Sequence, residues 1–359
     1  IRITRSIESI CGSFTLDVSD RWGGQNVPWP ILEEDACRVE IDGQVVLDGY
    51  VDKRSFRLSA TSRGLSYQGR DRASAIVDSS AGLGTGKKWS FAGADIAKVA
   101  KELCAEHGVA LTVQAGLKLT PQGKCVLNPG DTAYHALHRM ATAAGVLLVS
   151  DGKGGVLITR AGTEKVGTAL AEGDNVLEAA IDYDATERFS RYVLKTQTGG
   201  GGPLSPVNGV TSTDDGATVT KKLAVISAIS AEATDLGVRR KDRVLMIRPE
   251  GGMDAKLAKQ RADWEARVRA ARAEKVSITT PGWRQRGQLW PLNMLVEVHV
   301  PSIGIDGELL ISQVEHTISN QGGEITQLQL VRPDAFLPEP RAVVKAESGA
   351  LAPINPVKP

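Results

Sequence analysis

Two short stretches of this chain, one toward each end, read almost alike. Ile41-Asp42-Gly43-Gln44-Val45-Val46-Leu47 has a counterpart in Ile305-Asp306-Gly307-Glu308-Leu309-Leu310-Ile311. Asp-Gly between apolar runs is a hairpin signal, because a type I′ turn needs positive φ at both central positions and these residues tolerate it. Either Ile-Asp-Gly hairpins recur here by accident, or the chain holds two related β units. The flanking residues support strands at both ends. Phe14, Leu16 and Val18 stand against Thr15 and Asp17, and Cys37, Val39 and Ile41 stand against Arg38 and Glu40. Further strands fit Phe56 to Leu58 and Leu65 to Tyr67. In the second half Met294, Val296, Val298 and Val300 alternate with their neighbours, and Leu328 and Leu330 mark a closing strand. Short strands at this spacing indicate a small barrel or sandwich.

Between these ends the period changes. Ile96, Val99, Ala100, Leu103, Cys104 and His107 recur at helical spacing until Gly108 offers a C-terminal cap. A second helix is expected after Asp131 as N-cap, with Tyr134, Leu137, His138 and Ala141 on one face and a stop at Gly145. Strands at Val146 to Val149 and Val156 to Thr159 flank the turn Asp151-Gly152-Lys153-Gly154-Gly155. Later, Gly199-Gly200-Gly201-Gly202-Pro203 opens a polar run to Thr220 that reads as a loop. A charged helix follows over roughly Asp254 to Glu274, its thin apolar stripe made of Leu257, Trp264 and Val268. Trp264 and Val268 should face the sheet, leaving Arg267, Arg269 and Arg272 for solvent or a neighbour. The tail from Pro338 to Pro359 carries five prolines, which fix φ and remove donors, so an extended arm is expected with Val343, Val344 and Leu351 as apolar contacts.

Several kinds of chemistry can be set aside. Lys plus Arg number 43 against 42 Asp plus Glu, so the net charge of +1 offers no global field for nucleic acid or an anionic membrane. The segment Arg239 to Arg286 does carry fourteen basic against six acidic residues, which suits an acidic partner or a channel lining. Helical pairs such as Asp263 with Arg267 give the ordinary alternative of a solvated face. The longest apolar stretch, Ala143 to Val149, is far short of the roughly 20 residues that span a bilayer. No basic n-region and apolar h-region open the chain, so synthesis and retention in the cytoplasm until assembly are expected. Cys11, Cys37, Cys104 and Cys125 form no C-x-x-C pair and read as buried free thiols.

Gly82-Leu83-Gly84-Thr85-Gly86-Lys87-Lys88 suggests a phosphate loop, yet Ala81 stands where Gly is needed and Lys88 where Ser or Thr is needed. His135 and His138 share a helical face without a third ligand and read as packed core histidines. Glu33-Glu34-Asp35 reads as a solvated acidic loop rather than a glycosidase pair. No Gly-x-Ser-x-Gly elbow is present. No catalytic, metal or cofactor residues are assigned.

The order of several weak motifs carries a resemblance. The Asp42-Gly43 hairpin, Gly49-Tyr50-Val51, Gly69-Arg70, Asp78-Ser79-Ser80, Phe189-Ser190-x-Tyr192, Trp290-Pro291, Ile305-Asp306-Gly307-Glu308-Leu309 and Ala335-Phe336 follow one another from Ile1 to about Leu337. In this the chain resembles the baseplate hub proteins of Mu-like contractile-tail phages, a group related to late control protein D and to the hub part of type VI secretion spikes. The resemblance implies a mixed but mainly β fold with two related small β-barrel domains, an α/β insert and an additional charged helix. With the residue patterns above, the expected division is 1–81 as the first barrel, 82–167 as the insert, 168–337 as the second barrel with a loop at 199–220 and a helix at 254–274, and 338–359 as the arm. The resemblance further implies a non-enzymatic homotrimer in the virion tail, adapting a six-fold tail tube to a three-fold spike. Partners would be its own copies, the spike and the tube-proximal proteins, with DNA only in transit through the lumen. Interface candidates are Arg267, Arg269, Arg272, Val343, Val344 and Leu351. A cell-wall or carbohydrate-binding module would also be β-rich, but only 4% of the chain is aromatic. A muralytic hydrolase with spatially assembled carboxylates is the enzymatic alternative.

Overall fold

The structure, a computed structural model, describes residues 1–18, 29–60, 63–82, 90–122, 125–162, 164–197, 228–249, 253–319 and 322–341. The Gly-Lys run at 83–89, the loop expected at 199–220, and Val343, Val344 and Leu351 of the arm lie outside these residues.

The chain opens with β1 (Arg2–Ser6), β2 (Ser13–Val18), β3 (Ala36–Ile41), β4 (Gln44–Leu58) and β5 (Arg63–Asp71). They form an antiparallel sheet in the order β1-β2-β5-β4-β3. The β3–β4 turn falls on Asp42-Gly43, with φ of 49° and 77°, the positive values that favour these two residues. Ile3, Phe14, Leu47, Val51 and Tyr67 fill the core of this group. The motif glycines have a steric cause. A Cβ on Gly49 would lie 1.9 Å from the Arg70 carbonyl oxygen, and one on Gly69 would lie 2.1 Å from that of Tyr50, so β4 and β5 approach closer than any side chain allows.

The insert comprises α1 (Ser74–Asp78), β6 (Ser90–Phe91), α2 (Ile96–Glu106), β7 (Leu111–Val113), β8 (Cys125–Val126), α3 (Ala133–Ala144), β9 (Leu147–Ser150) and β10 (Val156–Thr159). The Asp95 carboxylate caps α2 by accepting from the Lys98 N–H at 2.9 Å. The cap of α3 is Thr132 rather than Asp131. Its hydroxyl accepts from the His135 N–H at 3.2 Å, while Asp131 is taken up by Arg139 at 3.0 Å. Ile96, Val99, Leu103, Leu137 and Met140 from the helices share one core with Val156 and Ile158 of the sheet β7-β10-β9. That phase places His135 and His138 on the exposed face, which corrects their reading as core residues.

After β11 (Leu170–Ala171) and β12 (Glu178–Tyr183) come β13 (Arg191–Gln197), β14 (Ala228–Thr234), β15 (Val244–Ile247) and α4 (Ala255–Arg272). Then follow β16 (Glu274–Pro281), the small pair β17 (Arg284–Gln285) and β18 (Gln288–Leu289), β19 (Leu295–Val300), β20 (Ile305–Ser319) and β21 (Gly323–Val331). β12, β16, β21, β20 and β19 are antiparallel neighbours in that order. This is the order of the first group. In each group the last three strands have 6, 15 and 9 residues, and each 15-residue strand shifts register once against the nine-residue strand that follows it.

The repeat therefore lies in topology, while the second Ile-Asp-Gly is not a turn. The chain reverses at Pro301–Ile303 and Gly304, and Asp306 and Gly307 sit inside β20 opposite His299 and Val298. The expectation of two barrels is also corrected. Among the described residues neither group closes, and β1 joins β20 to make one open 11-stranded sheet. The length of β20 is the reason. Ile305 to Leu310 pair with β19, which leaves Gln313 to Thr317 free to receive β1 from the other group.

β13, β14 and β15 make a separate three-stranded sheet covered by α4, with Tyr192, Leu194, Ala231, Ala258 and Ala262 buried between them. Ile7, Val149, Ala271, Leu310 and Val331 form a bridging cluster that ties the first group, insert, helix and second group together.

Candidate interaction surfaces

Helix α4 starts at Asp254, whose carboxylate accepts from the Leu257 N–H at 2.7 Å. Its buried face is made of small residues, Ala258, Ala262 and Ala271, with Val268 and a paired Glu265. Small side chains let the helix sit close on its sheet, so a helix with so thin an apolar stripe still packs. Its arginines take partners inside the chain. Arg261 at 2.7 Å and Arg269 at 2.9 Å both bond the nearly buried Glu265, which offsets the cost of removing that carboxylate from water. Arg269 also reaches Glu187 at 2.6 Å. Arg267 is 3.0 Å from Asp334, not paired with Asp263, whose partner is Lys259. Arg272 donates to the Ala335 carbonyl at 3.0 Å and lies over the Phe336 ring. Trp264 is half-buried and turned toward the C-terminal segment instead of the sheet. Its indole N–H bonds the Leu337 carbonyl at 2.9 Å and its face carries Arg261. The helix thus clasps residues 334–339, with Glu339 held by Arg261.

The motif residues of the first group form a second cluster. Arg70 bonds Asp52 at 2.7 Å and Asp78 at 2.6 Å, linking β4, β5 and α1. Those two carboxylates, Asp78 first, hold the guanidinium pKa above its ordinary range. Next to it Asp71 is almost fully buried. It accepts from the Gly12 N–H at 2.7 Å, the Ala73 N–H at 3.1 Å and the Ser150 hydroxyl. Desolvation still pushes its pKa up to about 6. Arg5, half-buried beside Asp71 and Asp151, donates to the Ser150 carbonyl at 3.0 Å.

All four cysteines are free, and burial pushes the thiols of Cys11 and Cys104 up to about 12 and that of Cys37 up to about 11, so they stay protonated and weakly nucleophilic. Among the described residues no group of three His, Cys, Asp or Glu side chains could hold a metal ion, and no helix is long and apolar enough to cross a membrane. The large exposed apolar side chains lie mostly along strands and their ends: Tyr50, Phe56 and Leu58 on β4, Leu177 and Tyr183 at β12, and Val244 and Met246 on β15.

A duplicated five-stranded sheet that exposes apolar side chains along its strand edges is a surface suited to assembly. Comparison with known proteins places the chain more closely. Residues 1–71 match the N-terminal part described for Mu phage baseplate assembly protein GpP-like proteins, 73–160 the second domain of gp44-like baseplate hub proteins, and 254–339 the fourth domain of Mu phage baseplate assembly protein GpP. Over 346 residues the chain is 30% identical to the baseplate hub protein gp44 of Escherichia phage Mu, covering 94% of this chain and 85% of that one. The crystal structure of the 43 kDa tail protein of prophage MuSo2 from Shewanella oneidensis superposes with a TM-score of 0.76 at 29% identity, covering 93% of this chain and 94% of that one. A tail protein from Neisseria meningitidis MC58 shares the fold, with a TM-score of 0.71 at 21% identity over 94% and 93% of the two chains. The chain belongs to the family of Mu-like phage baseplate hub proteins, which are structural components of the virion tail and not enzymes.

Proposed function

We propose that three copies of this chain close into the hub ring of a contractile-tail baseplate, adapting a six-fold tail tube to a three-fold spike. One observation carries the reading. Each chain holds two five-stranded groups of identical strand order joined edge to edge, so three chains present six like units around an axis. A simple trimer face repeats one contact three times and cannot match a six-fold neighbour, whereas a trimer of duplicated units can match both. On this reading residues 1–81 and 168–337 supply the ring, 82–167 project from it, and the tube, the spike and DNA in transit meet different faces. Arg267, Arg269 and Arg272 of α4, and the arm at 338–359 with Val343, Val344 and Leu351, are assigned to the spike or to a neighbouring copy.

Sedimentation equilibrium of the purified chain at concentrations well above micromolar tests the ring. The expected mass is three times 38.1 kDa. A stable monomer or dimer would refute it. A chain ending at Leu337 should keep its fold and lose spike binding or trimer stability, and unchanged assembly and affinity would remove the arm from the interface.

A further inference from the structure

We propose that the ring closes by strand pairing, with β12 of one copy adding to the outer half of β4, Lys53–Leu58, of the next. This rests on the trimeric hub reading and names the surface that makes it.

The chain already contains the pattern. β1, the first strand of its group, pairs antiparallel with the outer half of β20, the fourth strand of the other group. By strand order β12 corresponds to β1 and β4 to β20. Among the described residues both corresponding edges lack a strand. β12 pairs with β16 alone, and β3 covers β4 only as far as Tyr50. A bare edge of this length is a template for another strand unless it is covered.

The two edges also match in chemistry, face by face. On β4, Phe56 and Leu58 lie on the core side, since Phe56 stands opposite Leu65, yet they are 60% and 61% exposed. On β12, Ile181 lies on the core side of the second group, and Tyr183, two residues on, is 72% exposed. On the opposite faces β4 carries Lys53 and Arg57, and β12 carries Glu178 and Asp182, all exposed. Pairing would bury apolar against apolar and set cation against carboxylate, both favourable across strands. The existing junction has the same two faces. Ile3 is buried on one, and Arg2 meets Glu315 at 3.1 Å on the other. A contact between unlike edges is heterologous, so it propagates head to tail and closes when the rotation per step fits. Here every second junction in the ring is internal to a chain and every second one lies between chains.

The test uses the full chain and reads assembly by sedimentation. Glu178→Lys with Asp182→Lys should weaken trimerisation about ten-fold or more, as should Lys53→Glu with Arg57→Glu. All four changes in one chain should restore it, which also shows that the variants fold. Ile181→Cys combined with Phe56→Cys, the positions that face each other if the register of Ile3 opposite His316 is repeated, should give, on mild oxidation, covalent products up to three chains, absent from either single variant. Trimers that form equally well in every variant would overturn the strand pairing and leave the hub reading standing. A wild type that stays monomeric would overturn the hub reading itself.

Discussion

Asp71 ends β5 at the point where the β1–β2 loop, the start of α1 and β9 meet, and replacing it with alanine removes the acceptor shared by all three. The Gly12 N–H, the Ala73 N–H and the Ser150 hydroxyl would each lose a partner in a buried site. Unsatisfied buried donors cost about 1–3 kcal/mol each, so the network is worth roughly 5 kcal/mol while the carboxyl is neutral. Ionisation opposes this. Burial raises the pKa from the ordinary carboxylate range near 4 to about 6, which corresponds to about 3 kcal/mol against the charged form. Asp71→Ala should therefore cost about 2 kcal/mol at pH 7.5. Because the folded state binds the proton more tightly than the unfolded chain, the Asp71 contribution grows as pH falls through 6 toward 4 and is lost as pH rises. The penalty should be about 2 kcal/mol larger at pH 4.5, near 4 kcal/mol. Urea unfolding of wild type and variant at the two pH values measures the difference, in which other titrating groups cancel. A penalty that shrinks on acidification, or none at either pH, would refute the reasoning.

His316 should behave in the opposite sense: burial lowers its pKa to about 4, so its share of stability is lost as pH falls from about 6.5 toward 4, and an NMR titration should find the imidazole neutral above pH 5. The Thr326 hydroxyl donates to the Gly282 carbonyl, so the proton between Thr326 and His316 belongs to His316 Nδ1, and the imidazole nitrogen shifts should report that tautomer. Gly69→Ala should cost more than about 3 kcal/mol or prevent folding, because its Cβ meets the Tyr50 carbonyl and the Phe14 ring, whereas Gly43→Ala pays only for positive φ, about 1–2 kcal/mol by thermal melting. Trp264→Ala should lower stability by about 2–3 kcal/mol and expose the segment after Leu337 to protease, while Arg267→Ala, at an exposed pair, should cost under about 1 kcal/mol; equal effects would show that the clasp contributes nothing.

Local features of this fold were legible because their causes are local. Alternation marked β2, β3 and β19, positive φ marked the Asp42-Gly43 turn, and helical spacing ending at Gly108 marked α2. The cap of α3 was placed one residue early because Asp131 and Thr132 are both good caps, and the choice is made by Arg139, eight residues on, taking Asp131. Barrel closure is not legible for a different reason. Which edges pair is decided between residues 2–6 and 313–317, and no window of sequence contains both. The packing of α4 was hidden because alanine buries a helix face without making an apolar stripe, and the turn of Trp264 away from the sheet follows from the Leu337 carbonyl that it meets. The surface on which assembly depends was not visible at all: Phe56 and Tyr183 read as ordinary strand residues until their neighbours end short of them.

The pairing of β1 with β20 also orders events in time. β1 has its partner some three hundred residues later, at residues 313–317, and the Ile1 nitrogen is bonded to the Ile318 carbonyl. Until residues 313–317 have been made, that edge of the first sheet has no partner. Non-local pairing of this kind is slow to form, since the loop must close before any contact rewards it. A chain truncated before residue 313 cannot form this junction, so the two five-stranded groups of an incomplete product stay unjoined.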